Sequence, residues 1–121
     1  MANPNIVAVT SMLGVTTYAA LTTTQASVLA AAAAGHVLKV NDIVVANKTT
    51  SAVTALVQVY SAAALGGTAY NLANNISIPA NASLIVTDRS TSFYVGEAQS
   101  IGASAGTASA ADVVISYEDI S

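Results

Sequence analysis

Apolar and polar residues alternate with a period of two through most of the chain. The alternation is clearest near the C-terminus. There Val113, Ile115 and Tyr117 share one parity, and Val114, Ser116 and Glu118 share the other. This is the pattern of a strand with one face on a core. Residues 52–60 (AVTALVQVY) repeat it, with Val53, Ala55, Val57 and Val59 on one side and Thr54, Leu56, Gln58 and Tyr60 on the other. Residues 36–47 (HVLKVNDIVVAN) predict a long strand in which Val37, Lys39 and Asn41 alternate with Leu38 and Val40. Its Ile43-Val44-Val45 run is apolar on both faces, as in the middle of a sandwich, and Asn41-Asp42 predicts a bulge or bend.

Weaker segments fill the intervals. Strands are expected over residues 6–10 (IVAVT), 14–21 (GVTTYAAL), 25–29, 68–74 with 75–78 as two strands or one bent one, 83–87 (SLIVT) and 92–95 (SFYV). Residues 97–105 read as a poor strand because they are small and polar. Residues 47–51 (NKTTS) form a hairpin-type turn, Gly66-Gly67 closes a loop, and Pro79 ends a strand because it lacks a ladder donor. Helix competes only at residues 30–34, an alanine run stopped by Gly35. That stretch is too short for a stable helix, so a turn or single helical turn is expected. Short strands at intervals of about 8–12 residues are the signature of an all-β domain. The fold class predicted is a single-domain antiparallel β-sandwich over residues 1–121, jelly-roll or Ig-like, with roughly eight to ten strands. Pro4 keeps residues 1–5 extended, as an N-terminal arm.

Composition changes the picture in one respect. Of the 121 residues, only 7% are charged, against about 25% in an ordinary soluble domain. Hydrophobic residues make up 54%, and aromatic ones 5%. A surface so poor in charge is expected to be covered by neighbours in an assembly. The net charge is −3, and Lys39, Lys48 and Arg89 are the only strong bases. Three scattered bases cannot displace enough counterions to hold nucleic acid. The longest apolar run, residues 28–34, is far shorter than the ~20 residues of a membrane span. The first residues lack a basic segment followed by an apolar one, so no signal peptide is expected. There is no cysteine, which removes disulfides, thiolate zinc sites and a cysteine nucleophile.

The candidate chemistry is thin. Gly102-Ala103-Ser104-Ala105-Gly106 matches the Gly-x-Ser-x-Gly nucleophile elbow. That motif needs a helix after it and a histidine after the acid in chain order. No helix is predicted there and the single histidine, His36, lies upstream, so the segment reads as a flexible small-residue loop. His36 without a second histidine or a cysteine reads as a surface residue at a strand start. Asp112, Glu118 and Asp119 lack the spacing of a calcium loop and read as a solvated edge. Six scattered acids give no carboxylate pair for glycoside hydrolysis. Glycosylation sequons begin at Asn47, Asn75 and Asn81, and these read as turn residues. No catalytic residue, metal, cofactor or small-molecule substrate is expected.

The order of pieces resembles a family of small structural proteins of tailed-phage virions, known from phages of aquatic bacteria. The residues that carry the resemblance are residues 1–7 (MANPNIV), 36–43 (HVLKVNDI), 78–84 (IPANASL), 93–98 (FYVGEA) and 113–121 (VVISYEDIS). Where relatives follow the aromatic segment with an acid and Glu-Gly-Asp, this chain has the shorter Val95-Gly96-Glu97-Ala98. The resemblance implies a non-enzymatic β-sandwich virion component, a head decoration or cement protein on the capsid surface. It implies the major capsid protein and copies of itself, as a trimer or other homo-oligomer, for partners. A tail, neck or fibre-associated structural protein is the alternative, and a carbohydrate-binding receptor module is a third. Such a role needs many weak contacts between copies. Extended termini can add a strand to a neighbour's edge, which nominates Met1, Ala2, Asn3, Pro4, Asn5 and Ile120. Tyrosine offers area plus a hydroxyl, which nominates Tyr18, Tyr60, Tyr70 and Tyr94.

Overall fold

The computed structural model describes residues 10–121. The arm expected over residues 1–5 and all but Thr10 of the strand expected over residues 6–10 lie outside them. Nine strands follow: β1 (Met12–Ala20), β2 (Ala26–Leu29), β3 (Val37–Asn47), β4 (Val53–Tyr60), β5 (Ala69–Ile78), β6 (Ser83–Thr87), β7 (Phe93–Val95), β8 (Ser100–Ala105) and β9 (Ala111–Ile120). The alanine run forms a turn, closed by Gly35 at φ +76° and by the His36 N–H donating to the Ala33 carbonyl. The two segments expected over residues 68–78 are one bent strand, β5, with Asn75 at φ +50°.

The strands make two antiparallel sheets. One has the order β1-β9-β3-β6, with β7 pairing β3 beyond the end of β6; the other has the order β2-β8-β4-β5. The strands β6 and β7 share one edge of β3, at Ile43–Ala46 and Leu38–Val40 respectively. They fill a single strand position interrupted by a 3₁₀ turn (Arg89–Thr91). Eight positions in this order, with most connections crossing between sheets, make a jelly roll. The Ig-like alternative groups its strands differently and is set aside.

One core lies between the sheets. Val40, Ile43 and Val45 of β3 meet Ala55 and Val57 of β4, Ile101 of β8, and Val113 and Ile115 of β9, all essentially inaccessible. The inward parities expected for β4 and β9 hold, with Val59 and Tyr117 half-buried against the core. At Asn41-Asp42 the β3–β9 register slips, because Val40 faces Tyr117 and Asp42 faces Ser116. The predicted bulge therefore exists, and it places two successive polar residues outside the core.

The segment read as a flexible loop is corrected. Gly102 to Ala105 belong to β8, and every residue of that strand is buried. The reason is its company. The loop after β4 folds back over β8 with a 3₁₀ turn (Ala63–Leu65). There the Leu65 N–H donates to Ser100 Oγ at 3.0 Å, and Ser100 donates to the Ala62 carbonyl at 2.9 Å. A Cβ on Gly102 would stand 2.8 Å from Leu65 Cδ2 and 3.0 Å from Tyr60 Cε1. Small residues are the condition for covering this strand on both faces.

Candidate interaction surface

Cross-strand register decides which side chains meet on the outer face of the five-stranded sheet. Tyr18 of β1 lies opposite Val114 of β9, Val114 opposite Val44 of β3, and Val44 opposite Ile85 of β6. Four apolar residues thus form one row across four strands. Tyr18 is 77% exposed, Ile85 63% and Val114 40%. Paired apolar residues at this spacing touch along a sheet. In water such a row is an unsatisfied surface.

Beside the row the face turns polar. Lys39, Asn41, Asp42, Ser92, Ser116 and Glu118 line a hollow of about 370 Å³. The β3 bulge turns Asn41 and Asp42 to this side together, which is a common use of bulges. The Asn41 Nδ2 group donates to Glu118 Oε1 at 3.3 Å. Lys39 and Glu118 are cross-strand partners, yet among the described residues neither joins an ion pair. Lys48 forms an ion pair with Asp112 at 3.1 Å, and His36 Nδ1 hydrogen-bonds with Asp119 Oδ1 at 2.7 Å. His36 therefore sits just before β3 beside a carboxylate, on a different strand pair from Ser104 in β8. Among the described residues no three His, Cys, Asp or Glu side chains converge.

On the outer face of the other sheet the chain itself covers β8, while β5 at the edge stays largely exposed. Gln58 Oε1 accepts from Gln25 Nε2 at 3.2 Å and from the Tyr60 hydroxyl at 2.9 Å, while Gln58 Nε2 donates to Asn71 Oδ1 at 2.8 Å. This amide network and Leu65 lie over Gly102.

The sequence-nominated contacts separate accordingly. Met1, Ala2, Asn3, Pro4 and Asn5 lie outside the described residues. Tyr18 stands on the open face at an edge strand; Tyr94 is 45% exposed on β7, opposite Lys39; Tyr70 is 62% exposed on the edge strand β5. Tyr60 is half-buried and committed to Gln58. Ile120 is 2% exposed, so it serves the packing of its own chain rather than offering a surface. Sequence reasoning missed Ile85 and Val114. It read the two-sided apolarity around Val44 as sandwich interior, whereas one of those two faces is the open one. Asp88, before the 3₁₀ turn, accepts from the Ser90 hydroxyl at 2.6 Å and the Ser90 N–H at 3.0 Å. These bonds hold its carboxyl below the ordinary value of 3.8.

No family model matches the chain, and no curated protein does either. Among solved structures it is similar to a protein of Bacillus endospore appendages, described as a family of disulfide-linked pili, at 17% identity and TM-score 0.53. The match covers 91% of this chain and 85% of that one. Identity this low carries the all-β sandwich fold and nothing finer. With no cysteine in these 121 residues, this chain cannot form the disulfide links named for that family.

Proposed function

We propose that this chain is a non-enzymatic structural subunit of a phage particle, acting as a head decoration or cement protein. The observation that carries the structural reading is the open apolar row on the five-stranded sheet, in a domain with 7% charged residues. A soluble domain working alone keeps such patches small and breaks them with charge. The phage assignment rests on the sequence resemblance carried by residues 1–7, 36–43, 78–84, 93–98 and 113–121. Decoration calls for many weak contacts repeated around a shell, made with the major capsid protein and with further copies.

A second reading has its own support. The likeness to an appendage protein favours a filament-forming subunit, in phage terms a tail, neck or fibre component. Copy number separates the two. Quantitative mass spectrometry on purified particles would give the ratio to the major shell protein. A ratio near one, or a simple fraction such as one third, supports decoration. A ratio of a few rings' worth moves the chain to the neck or tail, and absence from particles overturns the virion reading.

A further inference from the structure

We propose that the outer face of the five-stranded sheet pairs with the same face of a second copy, about a twofold axis running along the strands between β9 and β3. The inference rests on the reading of the chain as an assembly subunit.

The argument is one of self-complementarity. An isologous interface must present the same patch twice, so each residue needs its complement at the mirror position across the axis. Rotation about this axis exchanges β9 with β3 and leaves each cross-strand row in place. Lys39 and Glu118 occupy one row, so Lys39 comes over the partner's Glu118 and Glu118 over the partner's Lys39. Both are free of ion pairs among the described residues. In the next row Ser116 and the bulged Asp42 are partners, so the Ser116 hydroxyl comes over a carboxylate that can accept from it. In the apolar row Val114 comes over Val44.

The outer strands continue the match. Tyr18 flanks Val114 and Ile85 flanks Val44, so ring and aliphatic side chain exchange across the axis. Tyr94 flanks Lys39 and Gly14 flanks Glu118. A Cβ built on Gly14 meets nothing within 4 Å, which leaves room for a tyrosine ring. Two sheets related this way lie with aligned strands, a standard packing about 10 Å apart. The row beyond Lys39 and Glu118, Val37 with Ile120, is buried, so the free face ends there; from strand and residue spacings it measures roughly 15 by 20 Å, on the order of 300 Å² per copy, under half of a standard stable interface. The pair is therefore weak alone and gains from being held in a lattice of further contacts.

The test is a charge swap read by sedimentation across micromolar to millimolar concentrations. Lys39→Glu and Glu118→Lys each place two like-charge pairs in the dimer, and each is expected to weaken association on the order of tenfold or more. Mixing the two variants makes both pairs opposite again, so the mixture recovers association as a heterodimer. So does the double variant K39E/E118K with itself. Ile85→Lys, on the exposed apolar row, gives an independent disruption, and far-UV circular dichroism verifies that each variant folds. Wild-type protein that stays monomeric throughout, or a mixture that fails to recover, overturns the proposal. Wild-type association that all variants share also overturns it, while leaving the assembly reading intact with its interface elsewhere.

Discussion

Asn47→Ala removes a side chain that makes five hydrogen bonds among the described residues. Asn47 ends β3 and is 3% exposed. Its Nδ2 group donates to the carbonyls of Ser51 at 2.8 Å, Ile78 at 3.0 Å and Pro79 at 3.1 Å. Its Oδ1 accepts from the Thr49 N–H at 2.9 Å and the Thr49 hydroxyl at 2.7 Å. One amide therefore fastens the β3–β4 turn to the end of β5. A typical hydrogen bond is worth about 1 kcal/mol net, and a buried group left without a partner costs about 1–3 kcal/mol. Thr49 and Ser51 lie near the surface and regain water when the amide is gone. The Ile78 carbonyl, bonded in the buried part of the clamp, does not. The expected loss is about 2–4 kcal/mol, a large part of the ~5–15 kcal/mol that stabilises a domain. Urea unfolding followed by far-UV circular dichroism should show a midpoint lower by about 1–2 M with an unchanged slope. Asn47→Asp sharpens the test. It keeps the acceptor for Thr49 but aims a second carboxylate oxygen at three carbonyls, so burial and repulsion favour its protonated form. A carboxyl raised in the folded state contributes its stability below the unfolded value and loses it as pH rises. N47D should thus be worse than N47A at neutral pH and recover on acidification. A cost below about 1 kcal/mol for N47A, or an N47D protein insensitive to pH, would refute the clamp.

Other expected outcomes follow from the same geometry. Gly102→Val drives a branched side chain into Leu65 and Tyr60, so it should lift the 61–68 loop, at a cost of about 1–3 kcal/mol, and raise amide exchange around residues 63–68. Ile115→Ala empties the core between Ile43 and Thr17 on neighbouring strands, and its denaturation midpoint should report a loss of about 2–5 kcal/mol. Asp88 has its carboxyl lowered by Ser90, so its contribution is present above the unfolded value and lost as pH falls through the folded one; the Ser90 amide resonance should titrate below pH 3.8, and a titration at or above that value would remove the bond.

Periodicity made the strands legible because parity is local. Residues 52–60 and 113–117 announce their inward faces without reference to any partner, and the Asn41-Asp42 bulge is marked by two adjacent polar residues in an apolar run. Strand order is not local. Nothing in β1 names β9 as its neighbour, so the strand pattern fits a jelly-roll and an Ig-like order equally, and only the pairing distinguishes them. The β8 strand was obscured for a different reason. Glycine, alanine and serine carry little strand preference, and only the loop folded over them explains why they are strand residues at all. Asn47 reads as a turn residue because three of its five side-chain bonds are to a turn; the other two reach Ile78 and Pro79, about thirty residues on. The open apolar row needed register as well as parity, since Tyr18, Val44, Ile85 and Val114 are scattered along the chain and become one surface only when four strands align.

The two outer faces of the sandwich differ, and the difference limits what can be built from it. The loop after β4 covers the β8 part of the four-stranded sheet, so there a flat neighbour meets the loop rather than the strand, while β5 at the edge stays largely exposed. Among the described residues no loop covers the apolar row of the five-stranded sheet, where Tyr18, Val114 and Ile85 are exposed. A twofold contact through that row uses it once and closes; it makes pairs, not filaments. Growth into a larger assembly must then use edges or loops. The edges are unequal too. Both edge strands of the four-stranded sheet carry register shifts, in β2 between Ser27 and Leu29 and in β5 against Ala55–Gln58, and irregular edges resist strand addition. By contrast β1 runs nine residues in unbroken register with β9, with no charged residue and no proline, and pairs with no strand on its other side among the described residues. A regular, neutral edge is the natural template for another chain's strand. One face for pairing and one edge for extension would let a single small domain hold more than one neighbour at once, which a shell or sheath component requires.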